Sequence, residues 1–429
     1  MLNLKSVVGR LRKAFSLSPT VPGEPTPEPK EEPEVDRLMA RAVALKQQGD
    51  VAAAWSCLLR ALPLVPEPRP LGVHLLHAGL AVRMGLMGEA ESAARLAMQI
   101  TEGRDHTMAR YALASLLAVT GRPEEAQRLF AEPAEVMLGH GGIACTSAIR
   151  LLLPDTPPPD AALPFSRVMD APRGVPPDPS RPLLFAAGDG AYISRFGPAY
   201  AAAAARQGVG VQLHVVNPEP GLEPLLETLA GRVFLTSERS TLDGWDDGAR
   251  RAYYSCARLL VLPEVLKRQA GPVTMTDLDQ LLLRSPAALF RAEDDVSLLR
   301  LPGNEFNFLS YVSATLAVFR PGPGSGRFAA TAAGLLRACL AERAPQWHTD
   351  QAVLAATLLG GQGFTSGAVD PALVHLAETE PTLHGPACFW SITASLAANA
   401  QKEQAATFRA FLEGSSGRHR ELTSSDRQG

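Results

Sequence analysis

Three glycines recur at one interval. Gly49, Gly85 and Gly121 stand 36 residues apart, and each is followed five residues later by an alanine, Ala54, Ala90 or Ala126. A fixed period of this length marks one supersecondary unit used repeatedly, because a single unit cannot bury its apolar face alone. Leu58, Ala94 and Phe130 keep the same offset, and Ala61 and Ala97 extend it in the first two units. The segments LMARAVALKQQGD and VAAAWSCLLRALPLV, and their counterparts downstream, carry apolar residues at helical spacing. Each unit therefore predicts two helices joined by a tight turn. The glycine supplies the backbone conformation that ends the first helix, and the small alanine lets the second approach closely. Residues 36–152 are expected to be all-α, with a further helical cap over 131–152. His140, Gly141, Gly142 and Cys145 there read as a turn with helix packing.

Composition excludes several alternatives. With 46% hydrophobic and 20% charged residues in 429, the chain can bury large cores and is not wholly disordered. Forty-one basic and forty-four acidic side chains leave a formal charge of -3, so no global positive field points to a nucleic-acid partner. Five cysteines form no CxxC pair, which argues against a disulfide framework or a zinc site. The longest apolar stretches, such as residues 352–361, are far shorter than the roughly 18 residues a membrane span needs, and a cytoplasmic location is expected.

Residues 1–20 interleave Leu2, Leu4, Val7, Val8, Leu11 and Phe15 with Lys5, Arg10, Arg12 and Lys13. They read either as an amphipathic helix making weak contact with a membrane surface or as a short helix or frayed tail. Pro and Glu dominate residues 21–35, and Pro dominates 153–181. Both read as connectors, and residues 416–429 as a polar tail.

From residue 182 to 415 the rhythm changes. Leu183–Ala187, Val211–Val216, Arg232–Thr236 and Pro272–Thr276 read as strands, separated by helical Phe196–Gly208, Leu222–Ala230 and Tyr253–Arg268. Short apolar runs alternating with amphipathic helices predict an α/β domain around a buried, mainly parallel sheet. TMTDLDQLLL follows the last of these strands and sets Asp277 and Asp279 two residues apart. Two carboxylates brought together need a counter-ion. A hard divalent cation with oxygen ligands would supply one and leave positions for a diphosphate; an exposed acidic turn with Leu278 packed inward is the competing reading. PGPGSGRF at 321–328 lacks the GxxxxGK[ST] pattern, and neither GxSxG nor HExxH occurs.

Two family resemblances join these observations. The glycine and alanines of the first repeat, Gly49, Ala54 and Ala61, with Pro66 closing it, resemble the tetratricopeptide repeat. That resemblance implies a helical solenoid able to dock a protein or glycan acceptor. Over roughly 181–390, the order of FAAGDGAYISRFGPAY, YYSCARLLVLPEVL, TMTDLDQ, FLSYVSATLAVFRPG, WHTDQAVL and LHGPACFW resembles the nucleotide-sugar glycosyltransferases of the GT-A fold. This second resemblance implies metal-dependent transfer of a sugar from a nucleotide-sugar donor. Mn²⁺ or Mg²⁺ would be held by Asp277, Asp279 and His384, and the donor or acceptor sugar would be contacted by Asp350 and Gln351.

Each assignment has a structural competitor. Asp189 and Tyr192, after the first strand, would receive the nucleotide or form a solvated turn. Arg258 would neutralise phosphate or orient Asp277, or else make an intradomain ion pair. Asp350 would serve transfer or cap a helix, and His384 would ligate metal or satisfy a buried polar contact. A noncatalytic interaction protein with a degenerate transferase domain is the alternative function.

Overall fold

The computed structural model describes residues 33–130, 135–137, 143–145, 162–301, 307–342, 344–346, 348–376, 385–391, 404 and 406–413. Residues 1–20, the first connector up to residue 32, the tail 416–429, Trp347 and His384 lie outside them. The chain divides into two compact units, Met1–Leu153 with Pro302–Tyr311, and Pro154–Leu301 with Val312–Gly429.

The first unit contains three pairs of helices: α1 (Glu34–Gln48) with α2 (Val51–Ala61), α3 (Leu71–Arg83) with α4 (Met87–Ile100), and α5 (Gly103–Val119) with α6 (Pro123–Phe130). The periodic glycines sit at the turns within these pairs with φ of 86°, 76° and 81°, a left-handed conformation that costs any other residue about 1 kcal/mol or more. Ala54, Ala61, Ala90, Ala94, Ala97 and Ala126 are fully buried, so a larger side chain at these contacts would force the helices apart. Asp50 caps α2 by accepting from the Ala53 amide at 3.1 Å. Arg95 and Arg122 both bridge Glu91 and Glu125, joining α4 to the α5–α6 turn and α6.

Residues 307–311 belong to this unit, and the Phe308 ring lies 6.0 Å from that of Phe130. Tyr111 donates to Asn307 at 2.9 Å, and the Phe308 amide donates to Ser115 at 3.1 Å. Where a helical cap was expected within 131–152, the described residues are strands instead: β1 (Glu135–Met137) and β2 (Ile143–Cys145) pair antiparallel, with Val136 opposite Ala144. The β-branched Val136 and Ile143 suit paired strands better than a helix.

The second unit is built on an eight-stranded sheet in the order β11-β9-β10-β7-β4-β5-β6-β3. Its strands are β3 (Arg167–Met169), β4 (Leu183–Asp189), β5 (Gly210–Val216), β6 (Phe234–Ser240), β7 (Val273–Thr276), β9 (Val296–Arg300), β10 (Val312–Phe319) and β11 (Ser366–Ala368). β4 pairs parallel with both β5 and β7, and β5 with β6. The parallel centre is the expected one. The flanks are mixed: β3, β10 and β9 add antiparallel pairings, and β11 pairs parallel with β9.

The sheet is covered by α7 (Gly190–Arg206), α8 (Glu223–Ala230), α9 (Asp247–Arg268), α10 (Pro323–Glu342) and α11 (Thr349–Gly360). A second sheet of β8 (Gln280–Leu282), β13 (Phe389–Ser391) and β12 (Val374–Leu376) carries the chain onward from Asp279. Phe408, on helical residues 406–413, packs against Trp390 and Phe196 at ring separations of 5.2 and 6.5 Å. No helix among the described residues is long and apolar enough to cross a membrane.

A buried carboxylate fastens the β3 edge. Glu238 on β6 is 0% exposed and accepts from Arg167 Nε at 2.5 Å, His214 Nε2 at 3.0 Å, Ser240 Oγ at 2.8 Å and the Tyr253 hydroxyl at 2.6 Å. Burial alone would raise its pKa, but hydrogen bonding and charge from His214, with Arg167 and Tyr253, outweigh burial and lower it to about 2. The folded pKa lies below the unfolded one, so the stabilisation is complete above the ordinary Glu range, about 4.3. It is lost as pH falls toward 2.

Glu238→Gln should cost about 1 to 3 kcal/mol near neutral pH, because half-buried Arg167 and the buried His214 and Tyr253 lose their charged acceptor. In chemical denaturation the gap to wild type should close between the ordinary Glu pKa and pH 2. A gap independent of pH would contradict the electrostatic account. In the first unit, Gly85→Ala should lower stability by about 1 kcal/mol, read from the unfolding midpoint.

Candidate functional site

The order of strands creates the site. From β4 the chain crosses to β5 and β6 on one side, then returns to β7 on the other. The carboxyl ends of β4 and β7 therefore mark a point where the strand order reverses, the place where open α/β sheets receive ligands. β4 delivers Asp189 to it and β7 delivers Asp277. The pairing of β10 with β9 shifts register between Ser313 and Ala317, and the Thr315 carbonyl accepts the Asp277 amide at 3.1 Å. An irregularity here re-aims the backbone at the strand end.

Arg258 lies at the base. It sits on α9, is 2% exposed, and points both terminal nitrogens at acceptors. Nη1 donates to Asp277 Oδ1 at 2.5 Å and to the Thr276 carbonyl at 3.0 Å, and Nη2 donates to Asp350 Oδ2 at 3.0 Å. Its pKa is raised because Asp277 and Asp350 outweigh the opposing effect of burial. A guanidinium this deep stays charged and forks rigidly between two anions.

The two aspartates of the TDLD segment differ. Asp277, 28% exposed in its side chain, has its pKa raised: burial and the Asp350 charge work against the pull of Arg258. Asp279, half-buried, is pushed up to about 7 by burial and then by the charge of Asp277, while the Tyr192 hydroxyl donates to it and opposes the rise. Burial and Asp279 in turn hold the Tyr192 phenol well above its ordinary pKa. Leu278 between them is 1% exposed and anchors the turn in the core.

Asp189 caps α7, accepting from the Tyr192 amide at 2.7 Å. This cap turns Tyr192 back toward Asp279, with its ring against Phe196 at 4.8 Å. Asp350, 6% exposed, lies in the first turn of α11; its Oδ1 accepts the Gln351 amide at 2.9 Å, and its Oδ2 accepts Ser255 at 2.7 Å as well as Arg258. His348, which precedes this helix, has φ of 72°. Gln351 is half-buried beside Asp350.

The structure thus brings Asp189 and Tyr192, Asp277 and Asp279, and Arg258 and Asp350 into one connected set. His384 lies outside the described residues. Sequence reading missed two members. Ser255 precedes Arg258 by three residues, so helical spacing alone places both on one face. Gln404, 3% exposed, donates to the Asp279 carbonyl at 3.1 Å from 125 residues away, and no local pattern signals that contact.

Asp277 and Asp279, two residues apart at the end of β7, offer hard carboxylate oxygen donors. This donor chemistry fits a divalent cation of the Mg²⁺ or Mn²⁺ type. No group of three His, Cys, Asp or Glu side chains suited to a metal occurs among the described residues.

Because the folded pKa of Asp279 exceeds its unfolded value, its contribution to stability is present at low pH and is lost as pH rises toward 7. Asp279→Asn should therefore raise the metal-free unfolding midpoint at pH 8, with the gain shrinking as pH falls toward 4. Thermal unfolding of both proteins across that range tests it, and a gain that grows on acidification contradicts the assignment.

No protein-family model matches this chain, and neither does any curated protein. Solved glycosyltransferases are similar in fold. A galactosyltransferase, LgtC, in complex with donor and acceptor sugar analogs shares 12% identity at a TM-score of 0.38, covering 54% of this chain and 95% of its own. The apo form of the glycosyltransferase GlyE from Streptococcus pneumoniae shares 13% identity at a TM-score of 0.34, covering 56% and 64%. Mouse xyloside xylosyltransferase 1 shares 8% identity at a TM-score of 0.32, covering 52% and 99%.

Proposed function

We propose that this chain transfers a sugar from a nucleotide-sugar donor with the help of a divalent cation. One observation carries the reading: beside the carboxyl ends of β4 and β7, a half-buried pair of aspartates meets a buried, permanently charged arginine. A departing diphosphate needs its charge neutralised as the sugar leaves, and preorganised cations in a partly dry site do this most effectively. In this reading Asp277 and Asp279 hold Mn²⁺ or Mg²⁺, with His384 as a third ligand. When bound, the cation neutralises diphosphate charge.

The protein groups have distinct tasks. Asp189 and Tyr192 shape the nucleotide side of the site, where the α7 cap fixes the loop. Arg258 contributes positive charge and orients Asp277. Both oxygens of Asp350 are engaged by Arg258, Ser255 and the Gln351 amide. Its task is therefore to hold the guanidinium, and Gln351 is the member of the pair that meets the sugar. The helical pairs of the first unit, read as tetratricopeptide-like repeats, recruit a protein or glycan acceptor.

The full-length protein should bind one class among UDP-, GDP-, CMP- and dTDP-sugars in a calorimetric panel, more tightly with Mn²⁺ or Mg²⁺ than without. Asp277→Ala and Asp279→Ala should each weaken that cation-dependent binding at least about 10-fold, the loss of one charge-assisted ligand contact, with circular dichroism unchanged. No binding across the panel would instead support a noncatalytic interaction protein. Binding that both variants retain would remove the aspartates from the cation site.

A further inference from the structure

We propose that Ser255 is a positioning residue: its hydroxyl sets how Arg258 is shared between Asp350 and Asp277, and so tunes the cation affinity of Asp277. The last step rests on the reading of Asp277 as a cation ligand. The first does not.

Ser255 occupies α9 one turn before Arg258 and is half-buried. Its Oγ lies 2.7 Å from Asp350 Oδ2 and 3.4 Å from Arg258 Nη2. A serine has one proton to give and lone pairs that accept. Arg258 has none to accept with, so the proton goes to Asp350 and the lone pairs face the guanidinium. Asp350 Oδ2 thus receives two donors, Ser255 and Arg258 Nη2, while Oδ1 receives the Gln351 amide.

The guanidinium is held chiefly at its forked end. Arg258 Nε has no hydrogen-bond partner among the described residues, whereas Nη1 spans Asp277 and the Thr276 carbonyl. A change in demand at Asp350 is therefore felt at Asp277. Without the serine proton, the buried Asp350 anion loses a donor that no water replaces at low cost. The nearest remaining positive charge is Arg258, and the pull between opposite charges is strong away from solvent. Arg258 shifts toward Asp350 and away from Asp277. A guanidinium at 2.5 Å from Asp277 opposes a second cation there; displaced, it opposes that cation less. Ser255→Ala should then bind Mn²⁺ more tightly and turn over more slowly, because the carboxylate and guanidinium no longer hold their relative places. A loss of packing alone would weaken both.

The test uses the full-length protein with Mn²⁺ alone as the probe, followed by electron paramagnetic resonance of the free ion. Donor turnover and metal-free crystal structures complete it. Ser255→Ala should bind Mn²⁺ about 3-fold to 10-fold more tightly, the equivalent of one lost hydrogen bond, and lose turnover. Ser255→Thr, which restores the hydroxyl, should match wild type in both. Ser255→Cys keeps the volume with only a weak donor; it should move in the same direction by less and serves if the alanine variant does not fold.

In metal-free Ser255→Ala crystals the contact between Arg258 Nη1 and Asp277 should open beyond hydrogen-bonding distance. An unmoved Arg258 overturns the proposal, as do Mn²⁺ binding that is unchanged or weaker in Ser255→Ala and a threonine variant that behaves like alanine. Wild-type protein that binds no Mn²⁺ would end the cation reading of Asp277, and the crystallographic comparison would still decide whether Ser255 places Arg258.

Discussion

A guanidinium buried to 2% exposure must be surrounded by acceptors, and that requirement organises the second unit. Arg258 draws together the carboxyl end of β7 through Thr276 and Asp277, the first turn of α11 through Asp350, and its own helix through Ser255. Removing any acceptor would leave charge in a medium that stabilises it poorly. The strand end and the two helices are consequently held in one arrangement. Binding chemistry placed there inherits rigidity without loops having to order themselves on each encounter.

The charge is unevenly distributed around this centre. Arg258 faces Asp277 and Asp350 directly, while Asp279 faces a neutral phenol and the field of Asp277. Both aspartate carboxyls are raised, but only Asp277 has a cation in direct contact. Glu238 presents the opposite case elsewhere in the same sheet: four donors converge on it and hold it ionised well below the ordinary range. Burial raises both carboxyls. The number and charge of donors supplied by neighbouring strands and helices decide which one remains an anion.

Much of the fold was legible because local patterns carried it. Gly49, Gly85 and Gly121 mark turns that only glycine enters cheaply, and the alanines after them mark close helix contacts. The apolar runs at β4, β5 and β7 mark strands buried on both faces. At 135–137 and 143–145 the β-branched Val136 and Ile143 favour the paired strands found there over a helix carried on from upstream. At the site, Asp277, Asp279 and Arg258 stood out by residue type and by position at a strand end and on a helix. Their partition of charge did not.

By itself the sequence determined the repeat period, the helix ends, the central parallel strands and the candidate residues, since each depends on neighbours within a turn or a strand of the chain. Tertiary structure decided that Asp350 reaches Arg258 across 92 positions, that Gln404 reaches the Asp279 carbonyl across 125, and that β7 returns beside β4 rather than beyond β6. It also decided the direction of the Asp279 and Glu238 pKa shifts. These outcomes depend on desolvation and on charges brought close by folding, and neither quantity has a local trace along the chain.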